Sequence, residues 1–177
     1  MILVAVLVFS LFGISPRIWR WFYPLHFADL LEAAGRREGI DPNLIAAVIN
    51  VESKWQPKAV SPKGATGLMQ LMPDTAQWAA DKVGLQSFSQ TDLLEPETNI
   101  RLGSWYLADL LRQFDQNLTV ALAAYNGGRG NVRKWLEQGV WSGTFDDVES
   151  IPFGETKRYV LKVLYQYETY TRLYRWD

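Results

Sequence analysis

The chain has 177 residues, enough for one domain of ordinary size with a sizeable core. It contains no Cys, which excludes a thiol nucleophile, a disulfide framework and a thiolate metal site. His26 is the only histidine, so a zinc site with two or three His ligands is excluded. The net charge of −1 gives no excess of basic residues for binding nucleic acid. We therefore expect no metal, no cofactor and no nucleic-acid partner, and an enzyme of this composition would have to move protons with a carboxylate.

An apolar segment opens the chain. No charged residue occurs over 1–16, and Arg17 and Arg20 follow among aromatic residues, a pattern typical of a membrane segment with an interfacial belt. Sixteen helical residues reach only ~24 Å, short of the ~30 Å hydrocarbon core, so the aromatic residues would have to extend the span. We expect residues 1–23 to form a membrane anchor or signal-like segment and residues 24–177 to form one globular domain. A cleaved signal peptide and a buried first helix are the alternatives.

The domain is predicted to be all-α. Asp41-Pro42 supplies an N-cap and a first-turn proline, and Gly127-Gly128 ends a later helix. In chain order the expected helices run from Phe27 to near Gly39, from Pro42 to about Lys54, from Pro73, from Pro96 through Phe114, over 118–126, over 131–138, and over 155–174. No alternating run of apolar and polar residues indicates a sheet.

Glu52 is the carboxylate that stands out. The apolar stripe Leu44, Ile45, Val48 reaches Glu52 four residues later, at the last turn of its helix. Partial burial and the negative end of the helix dipole would both raise the pKa of this carboxyl, as a general acid near neutral pH requires. The alternative is a solvated Glu at the edge of the stripe, paired with a nearby Lys, and the spacing alone favours that alternative.

Six short strings, beginning at Glu52, follow one another in a specific order. They are Glu52-Ser53, Ser61-Pro62-Lys63-Gly64-Ala65, Gly67-Leu68-Met69-Gln70-Leu71-Met72-Pro73, Pro96-Glu97-Thr98-Asn99-Ile100, Ala124-Tyr125-Asn126-Gly127-Gly128, and Ile151-Pro152-Phe153-Gly154-Glu155-Thr156 with Tyr159-Val160. Each string alone is a weak signal. In order and spacing, over roughly residues 27–174, they resemble the lytic transglycosylases with a soluble-lytic-transglycosylase-like, goose-lysozyme-like domain.

The resemblance implies a lysozyme-like catalytic domain and a peptidoglycan substrate. In the implied mechanism, Glu52 protonates the β-1,4 glycosidic oxygen between N-acetylmuramic acid and N-acetylglucosamine. It then takes a proton from the muramoyl C6 hydroxyl, which closes a 1,6-anhydro ring without water. Ordinary glycoside hydrolysis needs a second carboxylate, whereas here the N-acetyl group of the substrate can assist an oxocarbenium-like state.

The resemblance also implies which residues bind substrate. Beside the catalytic Glu52 they are Ser53, Ser61, Met69, Gln70, Tyr125, Asn126, Glu155 and Tyr159. Several have a structural alternative: the Ser53 hydroxyl could bond a local carbonyl, Gln70 could cap the next helix, and Glu155 could favour a helix N-terminus. We expect Met69 to contribute its backbone more than its side chain. The family usually continues Asn-Ala-Gly-Pro-Gly where this chain has Asn-Gly-Gly-Arg-Gly over 126–130, so this loop is expected to differ in shape.

Two other functions stay open on the sequence. One is a lysozyme-type muramidase in which water replaces the C6 hydroxyl; the other is a non-catalytic glycan-binding domain, against which the presence of Glu52 speaks. Since peptidoglycan lies outside the cytoplasmic membrane, we expect a membrane-anchored protein whose catalytic domain faces the cell wall. The positive-inside rule applied to Arg17 and Arg20 would instead place that flank in the cytoplasm. No particular protein partner is indicated.

Overall fold

The structure, a computed structural model, describes residues 16–176 and contains only helices as regular elements within that range. Its eight α-helices there are α1 (Pro16–Phe22), α2 (Ala28–Glu38), α3 (Pro42–Ser53), α4 (Pro73–Lys82), α5 (Pro96–Gln113), α6 (Leu118–Gly127), α7 (Arg129–Glu137) and α8 (Gly154–Leu173). Two short 3-10 helices, Gln90–Leu94 and Val148–Ser150, lie in the connections. The all-α prediction is confirmed.

The helix ends follow the local chemistry of the sequence. The Asp41 carboxylate accepts a hydrogen bond from the Asn43 N–H at 2.8 Å, and Pro42 is the first residue of α3. Asn117 caps α6 in the same manner by accepting from the Val120 N–H at 3.2 Å. Only α7 begins clearly earlier than predicted, at Arg129, because Gly128 with φ +86° breaks the chain direction and the helix starts directly after it.

The core is built around α3. Residues 44–49 are all buried, so this helix is enclosed on more sides than the predicted stripe required, and it packs chiefly against α8. A second, smaller apolar cluster joins α4 to the 3-10 helix Gln90–Leu94 and to α5. Tyr125 and Tyr106 pack against both clusters, so these two rings connect the α4 region to the main core.

The segment 54–72, between α3 and α4, has no helix of its own and is held by one side chain of α5. The Asn99 amide, fully buried, donates to the carbonyls of Thr66 and Leu93, each at 2.9 Å, and accepts from the Met69 N–H at 2.7 Å. Gly67 fits against this amide only because it lacks a side chain. A Cβ there would lie 2.1 Å from Asn99 Nδ2 and 2.2 Å from the Leu93 oxygen.

The N-terminal end of the described chain docks on the end of α8. The Arg20 guanidinium donates two hydrogen bonds to the Leu173 carbonyl, at 2.8 and 3.3 Å, and stands 5.0 Å from the centroid of the Tyr174 ring. The predicted anchor, residues 1–23, lies largely outside the described residues, since these begin at residue 16. None of the helices within 16–176 has the length and apolar character needed to cross a membrane.

Candidate active site

Glu52 lies in the last turn of α3, at the wall of a cleft of about 330 Å³. The cleft is lined by Glu52, Ser61, Pro62, Lys63, Ala65, Gln70, Met72, Tyr125, Asn126 and Glu155. Three helices and the segment 54–72 contribute these residues. The one charged side chain of α3 is thus placed where a substrate could reach it.

The surroundings of Glu52 favour its protonated form. Burial is the largest effect and raises the pKa of this carboxyl from 4.5 to about 7, because a charged carboxylate is poorly solvated there. The nearby Glu155 charge also raises this pKa, while the Tyr159 hydroxyl lowers it. Near neutral pH both forms of Glu52 are therefore populated, so one carboxyl can first give and then take a proton.

Two parallel tyrosine rings border Glu52. The rings of Tyr125 and Tyr159 are inclined by 1° with centroids 6.4 Å apart, and burial raises the pKa of both phenols well above 10. The Tyr125 hydroxyl donates to the Met69 carbonyl at 2.8 Å and so fixes the segment 54–72 to α6. The buried Tyr159 hydroxyl, directed at Glu52, makes no hydrogen bond of ordinary geometry within the described chain. It is a neutral donor still available to the acid.

The amide of Gln70 is partly committed to the segment 54–72. Its Nε2 donates to the carbonyls of Ala59 and Gly67, at 3.1 and 2.9 Å, and its backbone has φ +48°. Gln70 is among the residues that line the cleft, and its amide oxygen is a potential acceptor there. Gln70 therefore shapes this wall instead of capping α4.

Ser61 and Asn126 line the cleft through side chains that also hold the backbone or a neighbouring helix. The Ser61 hydroxyl accepts from the Ala65 N–H at 3.0 Å. The Asn126 carbonyl oxygen accepts from the Thr156 hydroxyl at 2.8 Å and ties the end of α6 to the start of α8. Both side chains retain hydrogen-bonding capacity toward the cleft, as substrate-binding residues would need.

The segment 126–130, where the sequence departs from the family pattern, is the junction of α6 and α7, with Gly128 alone between the two helices. Gly128 takes φ +86°, and the Arg129 guanidinium that follows lies 4.7 Å from the centroid of the Trp78 ring. A cation over an indole face is a stabilising arrangement. The start of α7 is thereby connected to α4.

Three of the predicted substrate-binding residues, Ser53, Met69 and Tyr159, are not among the residues that line the cleft. The buried Ser53 hydroxyl donates to the Ile49 carbonyl at 3.2 Å, which is the structural alternative stated above. The Met69 side chain is fully buried, and its backbone receives the hydrogen bond from Tyr125 and donates the one to Asn99. All three side chains are buried, so any effect on substrate would act through the surrounding structure.

Other residues of the site were missed in the sequence. Lys63, Pro62, Ala65 and Met72 line the cleft, although all belong to the quoted strings. Asn99 was part of a string without a role. The sequence did offer a sign of its structural role: Asn99 lies four residues before Gly103 on the apolar face of α5, where a buried polar side chain needs hydrogen-bond partners. Within residues 16–176 no three His, Asp or Glu side chains gather to hold a metal ion.

Comparison with known sequences shows the family to which the chain belongs. Residues 29–147 match the family described as the Transglycosylase SLT domain. The chain is 44% identical over 166 residues to the soluble lytic murein transglycosylase of Salmonella typhimurium, a match covering 90% of this chain and 25% of that protein. It is 32% identical over 168 residues to the membrane-bound lytic murein transglycosylase C of Edwardsiella ictaluri, covering 83% of this chain and 47% of that protein.

A solved structure shows the same arrangement of helices. The inactive Glu-to-Gln mutant of lytic transglycosylase Slt from Pseudomonas aeruginosa superposes with a TM-score of 0.78 at 39% identity, covering 85% of this chain and 24% of that one. The chain thus spans about a quarter of the length of the soluble relatives that it matches. The fold is the all-α, lysozyme-like fold of these proteins.

Proposed function

Since the chain belongs to the transglycosylase SLT domain family, we propose that it acts as a peptidoglycan lytic transglycosylase. The observation that carries the proposal is Glu52, a carboxyl with a pKa of about 7 that opens into a cleft between helices and loop. The Glu-to-Gln substitution in the inactive structural relative supports the view that such proteins depend on one glutamate.

The proposed reaction needs one acid and no water. Protonated Glu52 gives its proton to the glycosidic oxygen as the bond from that oxygen to the muramoyl C1 breaks. The resulting carboxylate then takes the proton of the C6 hydroxyl while O6 bonds to C1. Glu52 ends protonated, and the products are a free sugar hydroxyl and a 1,6-anhydromuramoyl end. Tyr159, a neutral donor beside the acid, would steady the carboxylate between the two transfers.

Glu155 favours a second candidate, a muramidase that hydrolyses the same bond. Its exposed carboxylate lines the cleft that holds Glu52. A second carboxylate is what a glycosidase uses to activate water. The products distinguish the two reactions, because hydrolysis leaves a reducing muramic acid end.

Digestion of isolated cell walls, followed by mass spectrometry of the fragments, tests the proposal. We expect 1,6-anhydromuramoyl ends from the unchanged chain and a loss of about 10²- to 10⁴-fold in rate for Glu52→Gln. Glu137→Gln, an exposed change at the end of α7, is the matched control and should keep full activity. Reducing ends would establish the muramidase instead, and an active Glu52→Gln protein would show that the acid is another residue.

We also propose that residues 1–23 anchor the protein in the cell membrane with the domain on the cell-wall side. The uncharged apolar run over 1–16 supports an anchor, and the relatives named above include a membrane-bound as well as a soluble enzyme. Protease treatment of intact protoplasts should degrade the domain. Full protection of the domain would place it in the cytoplasm and overturn this orientation.

A further inference from the structure

The helix α1 exposes large aromatic side chains to solvent. Trp21 and Phe22 are 88% and 73% exposed, and Trp19 is 45% exposed. Such rings, apolar with a polar edge in the case of Trp, are enriched where proteins meet the headgroup region of a bilayer. An exposed apolar patch of this kind indicates an interaction surface.

A hollow of about 610 Å³ adjoins these rings and is positively charged. Trp21 and Phe22 form part of its wall, and Lys54 and Lys162 form another part. No Asp or Glu is among the described residues that line it, and within 16–176 neither lysine makes an ion pair with a carboxylate. The surface therefore combines aromatic rings with cations that lack a protein counter-charge.

This surface is fixed to the domain. Arg20 bonds the last carbonyl of α8, as described above, and the Tyr23 ring meets the Tyr170 ring edge-on at 6.2 Å. The Tyr170 hydroxyl accepts from the buried Trp55 at 3.1 Å and donates to the Pro24 carbonyl at 3.0 Å. A partner that binds α1 would thus orient the whole catalytic domain.

We propose that the aromatic residues of α1, together with Lys54 and Lys162, dock the domain on an anionic phospholipid surface. This inference rests on the anchoring proposed above and goes beyond it, since it names a lipid-binding face of the folded domain. The uncharged apolar run directly precedes α1, so an anchor would hold the aromatic rings at the headgroup level. Anionic headgroups attract lysines near the membrane surface.

The docked orientation has a consequence for the substrate. Lys54 directly follows α3, which carries Glu52, and Lys162 lies on α8, which carries Glu155, so both lysines are attached to helices that also form the cleft. Docking would therefore hold the cleft at a fixed distance from the lipid surface. The enzyme is thereby directed to glycan strands close to the membrane.

Because the chain has no Cys, a single introduced cysteine can report on docking. We suggest Tyr165→Cys in the full-length chain, labelled with a fluorophore, since Tyr165 is 58% exposed on α8 near Tyr23 and far in sequence from the anchor. The matched control is Phe145→Cys, 53% exposed in the loop after α7. Both proteins are placed in vesicles of phosphatidylcholine with or without phosphatidylglycerol, and quenching by acrylamide is measured.

We expect the label at position 165 to be shielded several-fold more in the anionic vesicles than in the neutral ones, and the label at 145 to be equally accessible in both. Lys54→Glu with Lys162→Glu should abolish the difference, whereas Lys82→Glu with Lys134→Glu, the same change of charge elsewhere, should retain it. Added salt should weaken the shielding of the unchanged surface, which tests the electrostatic part without any lysine variant.

The proposal is overturned if the chain floats with the vesicles while the label at 165 remains as accessible as the label at 145. It is also overturned if the chain does not float with the vesicles at all. Neither result depends on glycan cleavage. Activity on soluble glycan fragments, measured in parallel, reports on the proposed reaction separately.

Discussion

The two walls of the cleft are built in different ways. The helical wall presents Glu52 of α3 and Tyr125 of α6 to the cleft, with the buried Tyr159 of α8 beside them, and α8 packs against both α3 and α6. The loop wall is the segment 54–72, which lacks helices and depends on the buried amide of Asn99 and on residues with positive φ. Both walls face the same space, yet one is fixed by regular helices and the other by individual hydrogen bonds.

The two walls are therefore expected to have different roles: the helical wall carries the proton-transfer groups, and the loop wall determines the shape of the cleft. The acid and its neutral donor belong to the helical wall, where their positions depend on packing that many residues share. The loop wall contributes polar groups that are also needed to hold the loop together, as Gln70 shows. We therefore expect substitutions in the helical wall to change the rate of the chemical step and substitutions in the loop wall to change stability and substrate binding together.

The largest effect on stability is expected from Gly67→Ala in the loop wall. The new Cβ would meet Asn99 Nδ2 at 2.1 Å and the Leu93 oxygen at 2.2 Å, at a φ of +81°. Overpacking, together with the left-handed backbone, should lower the free energy of unfolding by about 3–5 kcal/mol. Urea denaturation followed by circular dichroism measures this loss.

Gly64→Ala is the matched control in the same wall. Gly64 has φ +86° but nothing within 4 Å of a Cβ, so only the backbone strain applies, about 1–2 kcal/mol. Equal losses at the two positions would contradict the role assigned to Asn99.

In the helical wall, by contrast, the substitution Glu52→Gln should raise the stability of the protein at alkaline pH. The Glu52 carboxyl has a pKa of about 7 in the folded chain against an ordinary value of 4.5, so its contribution to stability is fully present below pH 4.5 and is lost as the pH rises through 7. Glu52→Gln removes a buried charge and should therefore stabilise the protein at about pH 8 by up to about 3 kcal/mol. The gain should disappear near pH 4.5.

Thermal melts of Glu52→Gln and of the control Glu137→Gln across this range check the sign. A variant at position 52 that is less stable than the unchanged chain at pH 8 would mean that the carboxylate is well solvated. At pH 8, the inactive variant Glu52→Gln is thus expected to be more stable than the unchanged chain.

The sequence predicted the helical wall better than the loop wall, for a physical reason. Apolar spacing and caps determine where α3 lies along the chain, and Glu52 follows from that spacing. The loop wall depends on contacts between distant residues, such as Asn99 with Met69, which local periodicity does not encode. The position of Ser61 and Gln70 in the cleft lining could be anticipated only from the resemblance to a family, which also names Ser53, a residue whose hydroxyl bonds the Ile49 carbonyl inside α3.

The pH dependence of catalysis tests the coupling between Glu52 and Glu155. The protonated acid becomes scarce above a pH of about 7, so kcat/KM should fall by about tenfold per pH unit beyond that point. Because the Glu155 charge raises the pKa of Glu52, Glu155→Gln should move this alkaline limb to lower pH. Rates on soluble glycan fragments over a series of buffers measure the limb, and a shift to higher pH would contradict the assigned interaction.

The smallest effects are expected from two serines that the resemblance treats alike and the structure separates. Ser53→Ala removes a hydroxyl bonded inside α3, where Ala is the better helix former, so stability should change by less than about 0.5 kcal/mol and lysis by less than about twofold. Ser61→Ala leaves the Ala65 N–H without its acceptor, costs about 1 kcal/mol and raises KM, since Ser61 lines the cleft. A larger loss of lysis from Ser53→Ala, with the fold unchanged, would contradict this placement and indicate that its hydroxyl turns from Ile49 to the substrate.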